Sequence, residues 1–335
     1  MSKITIKEIA ERAGVSIGTV SRIVNRQPDG YSKETYEKVQ AVIEETGYIP
    51  NRIARTMITK KSYTIGYLMD DLSNPFFAEI AKGISQATAR EGFNVIFCEG
   101  GRTAEEGGEK LKMLYEARVD GIITGSYVLN EENIDFFLKT RVPFVILDAN
   151  MLSDGFYNIS VDNYAGVRKM TEYLIECGHK KIACVTGPSG LPSTQNRLNA
   201  FKAVMSEHGY TWNDMIVESD YTVNGGYEAM RKLAGKDYTA VFAYNDLMAI
   251  GVCNYLQASG VRVPNEISVA GFDDILMSSY VYPPLTTVHQ PLKEMGEGAV
   301  ELLMEAMNKN PGDAVKSKKY ELTLVKRKSV SQINK

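Results

Sequence analysis

From residue 63 onward, short apolar runs alternate with amphipathic stretches of about 15 residues, and this alternation constrains the fold more than any other feature of the sequence. The runs YTIGYLM, FNVIFCE, DGIIT and VPFVILD have the length and composition of buried strands. The stretches between them are typical of helices, as in NPFFAEIAKGISQATAREG with Asn74 as a cap and Pro75 at its first position. Because parallel strands need such long crossovers, the sequence predicts parallel sheets covered by helices on both faces.

The alternation occurs twice. The segment YNISVD begins a second series, and the runs KIACVT, MIVES, YTAVFAY and EISVAGF continue it. A helix, QPLKEMGEGAVELLMEAMN, and a strand, KYELTLVKR, complete the pattern. We therefore predict an α/β core at 62–335 with two doubly wound parallel-sheet lobes. Lobe 1 covers about 62–160 plus 291–320, and lobe 2 covers about 161–290 plus 321–330. Ligands of such folds bind in the cleft beyond the carboxyl ends of the strands.

Residues 1–49 have the pattern of three short helices. Thr5 and Glu8 fit a capping box, Gly14 is placed to end the first helix, and Ser16 is placed to cap the second. Ser32 opens the third helix, which Gly47 ends. Apolar residues at helical spacing form the inward faces of the three helices: Ile6, Ile9, Ala10 and Ala13, then Val20, Ile23 and Val24, then Val39, Val42 and Ile43.

The second helix has an unusual outward face, formed by Ile17, Gly18, Ser21, Arg22 and Asn25. Glycine in a helix costs about 1 kcal/mol relative to alanine. Against a DNA major groove, Gly18 would allow a close approach, Ile17 could contact a thymine methyl group, and Arg22 could bind a base edge or a phosphate. The pattern predicts a helix-turn-helix DNA-binding domain at 1–49, and the alternative is a small three-helix cap on the sheet domains.

The distribution of charge favours the first interpretation. The net charge is −3, yet residues 1–60 hold ten Lys or Arg against seven Asp or Glu, and the remaining residues hold 28 against 34. A basic head on an acidic body is typical of a local phosphate-binding module.

Two segments, TIKEIAERAGVSIGTVSRIVN and SKETYEKVQAVIEETGYIPNRIARTM, resemble the lac repressor family of bacterial transcription regulators. The later residues resemble the periplasmic-binding-protein-like core of that family, so the resemblance covers essentially the whole chain. In the family, the two residues after the VS dipeptide, here Ile17 and Gly18, contact base edges and vary with the operator. The resemblance implies the following DNA-binding residues: Thr5, Ser16, Ile17, Gly18, Thr19, Ser21, Arg22, Asn25, Asn51, Ala54, Arg55 and Met57.

The resemblance also gives a role to residues 50–61, as a hinge helix and linker. In the family this helix forms on DNA and enters the minor groove, where a leucine commonly wedges between base steps. The corresponding residue here is Met57, an apolar wedge of different shape. A plain linker turn is the alternative.

Within the core, the resemblance implies a cleft that binds a small polar effector. The aromatic and polar side chains suit a sugar or sugar derivative, because rings can stack on an apolar sugar face while carboxylates, amides and a guanidinium bind its hydroxyls. Some family members respond instead to purines or to a phosphorylated carrier protein. The implied effector-binding residues are Asn74, Phe76, Phe77, Asp148, Arg197, Tyr221, Asn245, Asp273 and Gln290.

We therefore expect a homodimeric repressor that binds pseudo-palindromic operator DNA, because one head contacts only half of such a site. A sugar-binding protein without DNA function is a second hypothesis, but it would need a secretory signal and no basic head. The N-terminal residues lack a continuous apolar segment, and no run approaches the length of a membrane span, so we expect a cytoplasmic protein without membrane association.

An enzyme on the same sheet topology is the third hypothesis. The sequence has three histidines and no HExxH, GxSxG or GxxxxGK[ST] motif, and its glycines lack dinucleotide-binding spacing. We expect no catalysis, no cofactor and no metal site. The four cysteines are scattered and are expected to be reduced thiols.

Overall fold

The computed structural model describes residues 4–24, 29–49, 61–101, 103–148, 155–310 and 313–333. The chain divides into two compact units, Met1–Ser62 and Tyr63–Lys335. Five of the predicted DNA-binding residues lie outside the described residues, as does nearly all of the predicted hinge segment: Asn25, Asn51, Ala54, Arg55 and Met57.

The first unit contains three helices: α1 (Ile6–Ala13), α2 (Ile17–Val24) and α3 (Lys33–Thr46). The predicted capping box is confirmed, because the Thr5 hydroxyl accepts from the Glu8 amide while the Glu8 carboxylate accepts from the Thr5 amide at 2.7 Å. Gly14, at a φ of 66°, ends α1 in the left-handed conformation that glycine adopts without strain. The helices close over a small core of Ile9, Ala10, Val20, Ile23 and Val39.

The second unit is built around two parallel sheets. The first sheet has the strand order β11-β5-β4-β3-β1-β2. Its strands are β1 (Thr64–Met69), β2 (Asn94–Glu99), β3 (Gly121–Gly125), β4 (Phe144–Leu147), β5 (Asn158–Val161) and β11 (Ser317–Tyr320). The second sheet has the order β7-β6-β8-β9, and a separate antiparallel pair joins β10 to β12. Their strands are β6 (Ile182–Thr186), β7 (Ile216–Glu218), β8 (Ala240–Ala243), β9 (Ser268–Ala270), β10 (Thr287–His289) and β12 (Thr323–Val325).

Helices connect the strands, as the alternating pattern predicts. They are α4 (Pro75–Arg90), α5 (Ala104–Glu116), α6 (Glu131–Thr140), α7 (Asn163–Glu176), α8 (Pro192–Glu207), α9 (Val223–Lys232), α10 (Asp246–Ala258) and α11 (Leu292–Met307). Short 3₁₀ turns occur at Ser126–Val128 and Leu276–Ser279. In the described part of the chain, no helix is both long enough and apolar enough to cross a bilayer.

Two of the strand predictions are wrong, although β5 and β11 lie where the predicted bounds of lobe 1 place them. The segment YNISVD does not begin the second series of strands, because β5 pairs in parallel with β4 and β11 and so belongs to the first sheet. The segment KYELTLVKR is not one strand: β11 joins the first sheet and β12 pairs with β10. Both errors concern pairing partners that are distant in sequence, which local apolar patterns do not specify.

In the described residues, the chain passes at three places between the first-sheet side of this unit and the side that holds the second sheet and the antiparallel pair. These are Asp162 after β5, Gln290 and Pro291 after β10, and the short link between β11 and β12. The backbones of α4 and α11 approach closely beside the first sheet. A Cβ atom at Gly83 would lie 2.1 Å from the Lys293 carbonyl oxygen, and one at Gly296 would lie 2.3 Å from the Ile80 carbonyl oxygen. Glycine is therefore required at this crossing because no flexible side chain can yield to a methyl group there.

We expect Gly83→Ala to lower the free energy of unfolding by about 2 kcal/mol, because overpacking costs up to about 3 kcal/mol and the better helix propensity of alanine returns about 1 kcal/mol. The control is Gly190→Ala, since no atom lies within 4 Å of a Cβ there and the backbone is not left-handed. Urea unfolding of both variants measures the effect. Equal free energies of unfolding for Gly83→Ala and the natural protein would contradict the close approach of the α4 and α11 backbones.

Candidate functional site

The outward face of α2 is exposed in the first unit. Ile17 leaves 48% of its surface exposed, Gly18 and Arg22 are also exposed, and Thr19 and Ser21 are half-buried. The Arg22 guanidinium extends beside Gly30 in the loop that precedes α3. An apolar side chain, a bare backbone and a cation therefore share one accessible face of a helix whose other face is buried.

The hydroxyl groups of two predicted DNA-binding residues are engaged in helix capping. Thr5 caps α1, and the Ser16 hydroxyl accepts from the Thr19 amide at 3.1 Å at the start of α2. The Ser16 and Thr19 hydroxyls also share a hydrogen bond of 2.9 Å. These residues fix the exposed N-terminal turns of the two helices, whose backbone N–H groups are suited to phosphate oxygens.

The second unit contains a cavity of about 270 Å³ between its two sheets. This volume is near the lower end of the range for small-molecule sites, roughly 300 to 1,000 Å³. Eight of the nine predicted effector-binding residues line it: Asn74, Phe76, Phe77, Asp148, Arg197, Tyr221, Asn245 and Asp273.

The sheet topology explains why these residues converge. Asp148 directly follows β4, Asn245 lies two residues after β8, and Asp273 lies three residues after β9. The carboxyl ends of parallel strands meet at one edge of each sheet, so the polar residues that follow them face the same space. Asp148 and Asp273 have positive φ angles of 60° and 116°, respectively, so each is held in a backbone conformation that costs free energy for a residue other than glycine.

Arg197 is the charged centre of the cavity. Only 6% of its surface is exposed, its Nε donates to the Asn163 amide oxygen at 2.7 Å, and Nη1 donates to the Tyr244 carbonyl oxygen. The guanidinium also lies 3.9 Å from the centroid of the Phe272 ring. A guanidinium held by hydrogen bonds and a ring face is fixed in position, so it can present its remaining N–H groups to a ligand without loss of side-chain entropy.

Two buried carboxyl groups accompany this guanidinium. Burial raises the pKa values of Asp148 and Asp273, while the positive charge of Arg197 opposes the rise in both. The Asp148 carboxylate accepts from the Asn163 amide at 3.1 Å, and Asp273 accepts from the Gln290 amide at 2.7 Å. Gln290 does not line the cavity, in contrast to the other eight residues. Its side chain positions Asp273.

Asn245 and Tyr221 are held by one another and by the helices around them. The Asn245 amide oxygen caps α10 by accepting from Met248, and its amide nitrogen donates to the Tyr221 carbonyl oxygen at 3.0 Å. The Tyr221 ring lies directly over Gly187, where any Cβ atom would be 2.0 Å from the ring, and its hydroxyl bonds to Thr194 at 2.7 Å. The Tyr221 backbone has a positive φ of 64°, and the hydrogen bond from Asn245 fixes it in this conformation. The Tyr221 ring forms one wall of the cavity.

Two aromatic residues in the first turn of α4 form the cavity wall on the side of the first sheet. Asn74 caps this helix by accepting from the Phe76 amide at 3.0 Å, which leaves its amide nitrogen to donate to a ligand. The Phe76 and Phe77 rings meet edge to face, with centroids 5.0 Å apart. The predicted cap at Asn74 and the proline at the first helical position are both confirmed.

Four polar residues that were not predicted from the sequence line the first-sheet end of the cavity: Tyr67, Asp70, Asp71 and Tyr127. Asp70 directly follows β1 and Tyr127 follows β3, so the position after a strand could have identified both. Tyr67 lies within β1, where strand alternation does not distinguish a cavity-facing ring from a core ring. Burial, followed by the charge of Asp148, raises the pKa of Asp70 to about 8.

This shift predicts a pH-dependent stability. The unfolded carboxyl ionises near its ordinary pKa of about 4, so between pH 4 and pH 8 the folded protein binds a proton that the unfolded chain has lost. Asp70 therefore lowers stability as the pH rises, by up to about 1.4 kcal/mol for each pH unit. We expect the unfolding free energy of Asp70→Asn, relative to the natural protein, to increase steadily from pH 5 to pH 8 in urea titrations.

The control for this comparison is Gly190→Ala, which leaves every titratable group in place and has no atom within 4 Å of the added Cβ. Its difference from the natural protein should be the same at pH 5 and pH 8. If the unfolding free energies of Asp70→Asn and of the natural protein change with pH in the same way, the raised pKa of Asp70 is contradicted.

Comparison with known proteins identifies both units. Residues 5–51 match the bacterial regulatory proteins of the lacI family, and residues 171–330 match a periplasmic binding protein-like domain. The chain is 36% identical over 336 residues to the HTH-type transcriptional repressor PurR of Vibrio vulnificus, covering 98% of this chain and 99% of the relative.

Two solved structures extend the similarity to the whole fold. One is the lac repressor dimer bound to operator and the anti-inducer ONPF, with a TM-score of 0.87 and 30% identity over 98% of this chain and all of that one. The other is a complex of the transcriptional regulator CelR with cellobiose, with a TM-score of 0.72 and 30% identity over 97% of this chain and 99% of that one. These relatives are transcription regulators rather than enzymes. The chain belongs to the lacI family of bacterial transcriptional repressors.

Proposed function

We propose that this protein is a dimeric repressor whose affinity for operator DNA is controlled by a sugar or sugar derivative bound in the cavity of its second unit. The observation that carries the proposal is the cavity itself, in which a buried guanidinium, buried carboxyl groups and aromatic rings from several strand ends converge. Such a set binds small polar molecules, and it occurs in a chain whose first unit exposes a helix suited to a DNA groove.

The exposed face of α2 supports the DNA-binding part of the proposal. Arg22 is placed to bind a base edge or a phosphate, and Ile17 is placed to contact a thymine methyl group. Gly18 carries no side chain, so more of the discrimination between bases falls on these two neighbours. The capped starts of α1 and α2 supply backbone N–H groups for phosphates.

Homodimer formation is the second part. A single head contacts one half-site, so a pseudo-palindromic operator requires two heads held at a fixed spacing. The second unit exposes large apolar side chains around its second 3₁₀ turn, with Leu276, Tyr280 and Tyr282 exposed by 64%, 80% and 93%. An apolar patch of this kind is typical of a subunit interface.

We expect Arg22→Ala to weaken operator binding by about 5- to 150-fold, the equivalent of 1 to 3 kcal/mol for a side chain that contacts a base edge. The duplex would be obtained by selecting a random double-stranded library on the full-length protein, and a pseudo-palindrome should be enriched. Electrophoretic mobility assays measure the affinities. The matched control is Arg12→Ala, which removes the same charge from α1, where Arg12 is paired with Glu45. Equal binding by Arg22→Ala and the natural protein would contradict the assignment.

A sugar is the effector that the cavity chemistry favours. Phe76 and Phe77 can stack on an apolar sugar face, while Asp273, Asp148 and Arg197 are placed to bind hydroxyl groups as acceptors and donors. The CelR relative was solved with cellobiose, which is consistent with this class of ligand on this fold. A purine is the second candidate, because the same rings would stack on a heterocycle and some members of the family respond to purines.

Control of DNA binding would follow from a population shift. The cavity lies between two sheets that are joined by crossovers, so a ligand that binds one arrangement of the sheets more tightly favours that arrangement. A coupling free energy of 1 to 3 kcal/mol would change operator affinity by about 5- to 150-fold. The direction of this change, release or tighter binding, is measured in the same mobility assay with effector present.

We expect Asp273→Ala to abolish the thermal stabilisation given by any monosaccharide or disaccharide that raises the melting temperature of the natural protein, because the variant loses a buried carboxyl at the ligand. The control is Asp237→Ala, which removes an exposed carboxylate outside the cavity and should keep the full stabilisation. A sugar that stabilises Asp273→Ala as much as the natural protein would show that the binding site lies elsewhere.

A further inference from the structure

We propose that Tyr67, Asp70 and Tyr127 form a subsite, at the first-sheet end of the cavity, that binds a hydrogen-bond donor of the effector, either a hydroxyl or an ammonium group, and excludes an anionic group. The inference rests on the proposed effector cavity and specifies the chemistry of the molecule that occupies it.

The three side chains meet because their strands are neighbours. Tyr67 pairs with Ile123 across β1 and β3, Asp70 directly follows β1, and Tyr127 follows β3. A Cβ atom at Gly125 would lie 2.8 Å from the Tyr127 ring and 3.1 Å from the Asp70 carboxyl oxygen. The bare backbone at Gly125 therefore allows the ring and the carboxyl to lie against the same wall.

The polar atoms of this subsite are buried and lack partners. Within the described residues, the Tyr67 hydroxyl, the Tyr127 hydroxyl and Oδ1 of Asp70 are each inaccessible to solvent without a hydrogen bond, and Tyr67 leaves only 1% of its surface exposed. An unsatisfied buried polar group costs about 1 to 3 kcal/mol, so such groups are rare unless a ligand or water completes them. Three in one wall of a ligand cavity indicate that a bound molecule supplies the missing partners.

The balance of charge determines which partners fit. Among the described residues that line the cavity, five are aspartates and one, Arg197, is a cation: the aspartates are Asp70, Asp71, Asp148, Asp220 and Asp273. Arg197 opposes the rise in pKa of Asp148 and Asp273, whereas the charges of Asp148 and Asp71 both raise the pKa of Asp70. Among the described residues that line the cavity, no cation compensates Asp70, so this carboxyl accepts from a donor, and its ionised form, toward pH 8, repels a phosphate or carboxylate.

The two tyrosine hydroxyls complete the recognition of a donor. A ligand hydroxyl can donate to Asp70 and accept from Tyr67 or Tyr127, and a ligand ammonium can donate to all three oxygens. The two donors differ in their pH dependence. An ammonium requires the ionised carboxyl, so its affinity should rise by up to tenfold for each pH unit as Asp70 ionises toward pH 8. A hydroxyl is accepted by either form of the carboxyl, so its affinity should change little.

The test uses the full-length protein and isothermal titration calorimetry at pH 6, 7 and 8. The probes are D-glucose, D-galactose, D-ribose, cellobiose and D-glucosamine, with glucose 6-phosphate, ribose 5-phosphate, D-glucuronate and hypoxanthine. We expect the bound compounds to come from the neutral and amino sugars, with every phosphorylated or carboxylated derivative weaker than its parent. The pH series then distinguishes an ammonium from a hydroxyl.

Substitutions at Asp70 and Tyr127 test whether these side chains bind the ligand. At pH 7 the raised pKa of Asp70 leaves its carboxyl largely neutral, so we expect Asp70→Asn and Tyr127→Phe each to weaken a bound sugar by about 2- to 10-fold, as for loss of a hydrogen bond between uncharged groups. The matched controls are Asp237→Asn, which removes an exposed carboxylate outside the cavity, and Tyr244→Phe, which removes a buried hydroxyl outside the cavity. Both should bind within about twofold of the natural protein. Urea unfolding at pH 7 confirms that each variant is folded.

The inference is overturned if an anionic derivative binds more tightly than its parent, if hypoxanthine binds and no sugar does, if no neutral or amino sugar binds, or if Asp70→Asn binds as tightly as the natural protein. Measuring operator affinity in the presence of each compound distinguishes failure of the subsite from failure of the proposed function. A compound that shifts operator affinity yet binds Asp70→Asn unchanged refutes the subsite alone. A compound that binds through Asp70 and leaves operator affinity unchanged refutes the proposed control of DNA binding.

Discussion

The buried guanidinium of Arg197 is the interaction on which the ligand cavity depends. It bonds to Asn163, at the start of α7, and to the carbonyl oxygen of Tyr244, at the end of β8, so it joins a helix to the edge of the second sheet. Its charge also opposes the rise in pKa that burial causes in Asp148 and Asp273 nearby. Removing the guanidinium would therefore disturb both walls of the cavity rather than one contact.

The two ends of the cavity differ in how many of their polar groups already have protein partners. At the Arg197 end, most polar groups already have protein partners, such as Gln290 for Asp273 and Thr194 for Tyr221. At the Asp70 end, buried polar atoms have none among the described residues. A ligand would gain orientation from the fixed groups at one end and would satisfy unpaired groups at the other, where each new hydrogen bond removes an existing penalty.

Local signals in the sequence predicted the elements and much of the site, because capping and strand alternation involve near neighbours. The cap formed by Thr5 and Glu8 and the positions of Asp148 and Asp273 after strands are examples. The division of KYELTLVKR into two strands could not be predicted, since β11 pairs with β5, more than 150 residues away, while β12 pairs with β10. The contribution of Tyr67 was also hidden, because a buried tyrosine in a strand has the same pattern whether its hydroxyl faces the core or a cavity.

The position of Asp273 connects the ligand to the segments that join the sheets. Its carbonyl oxygen accepts from the Gln290 backbone amide at 3.2 Å, and its side chain accepts from the Gln290 side chain, directly before the chain leaves the antiparallel pair for α11. The adjacent Asp274 binds His289, in β10, at 2.9 Å and Arg327, two residues after β12, at 2.6 Å. A ligand that changes the hydrogen bonding of Asp273 therefore acts on a crossover through one shared residue. Packed side chains and hydrogen-bond networks with two arrangements can couple distant sites, and this crossover is one route by which occupation of the cavity could alter the relation between the sheets.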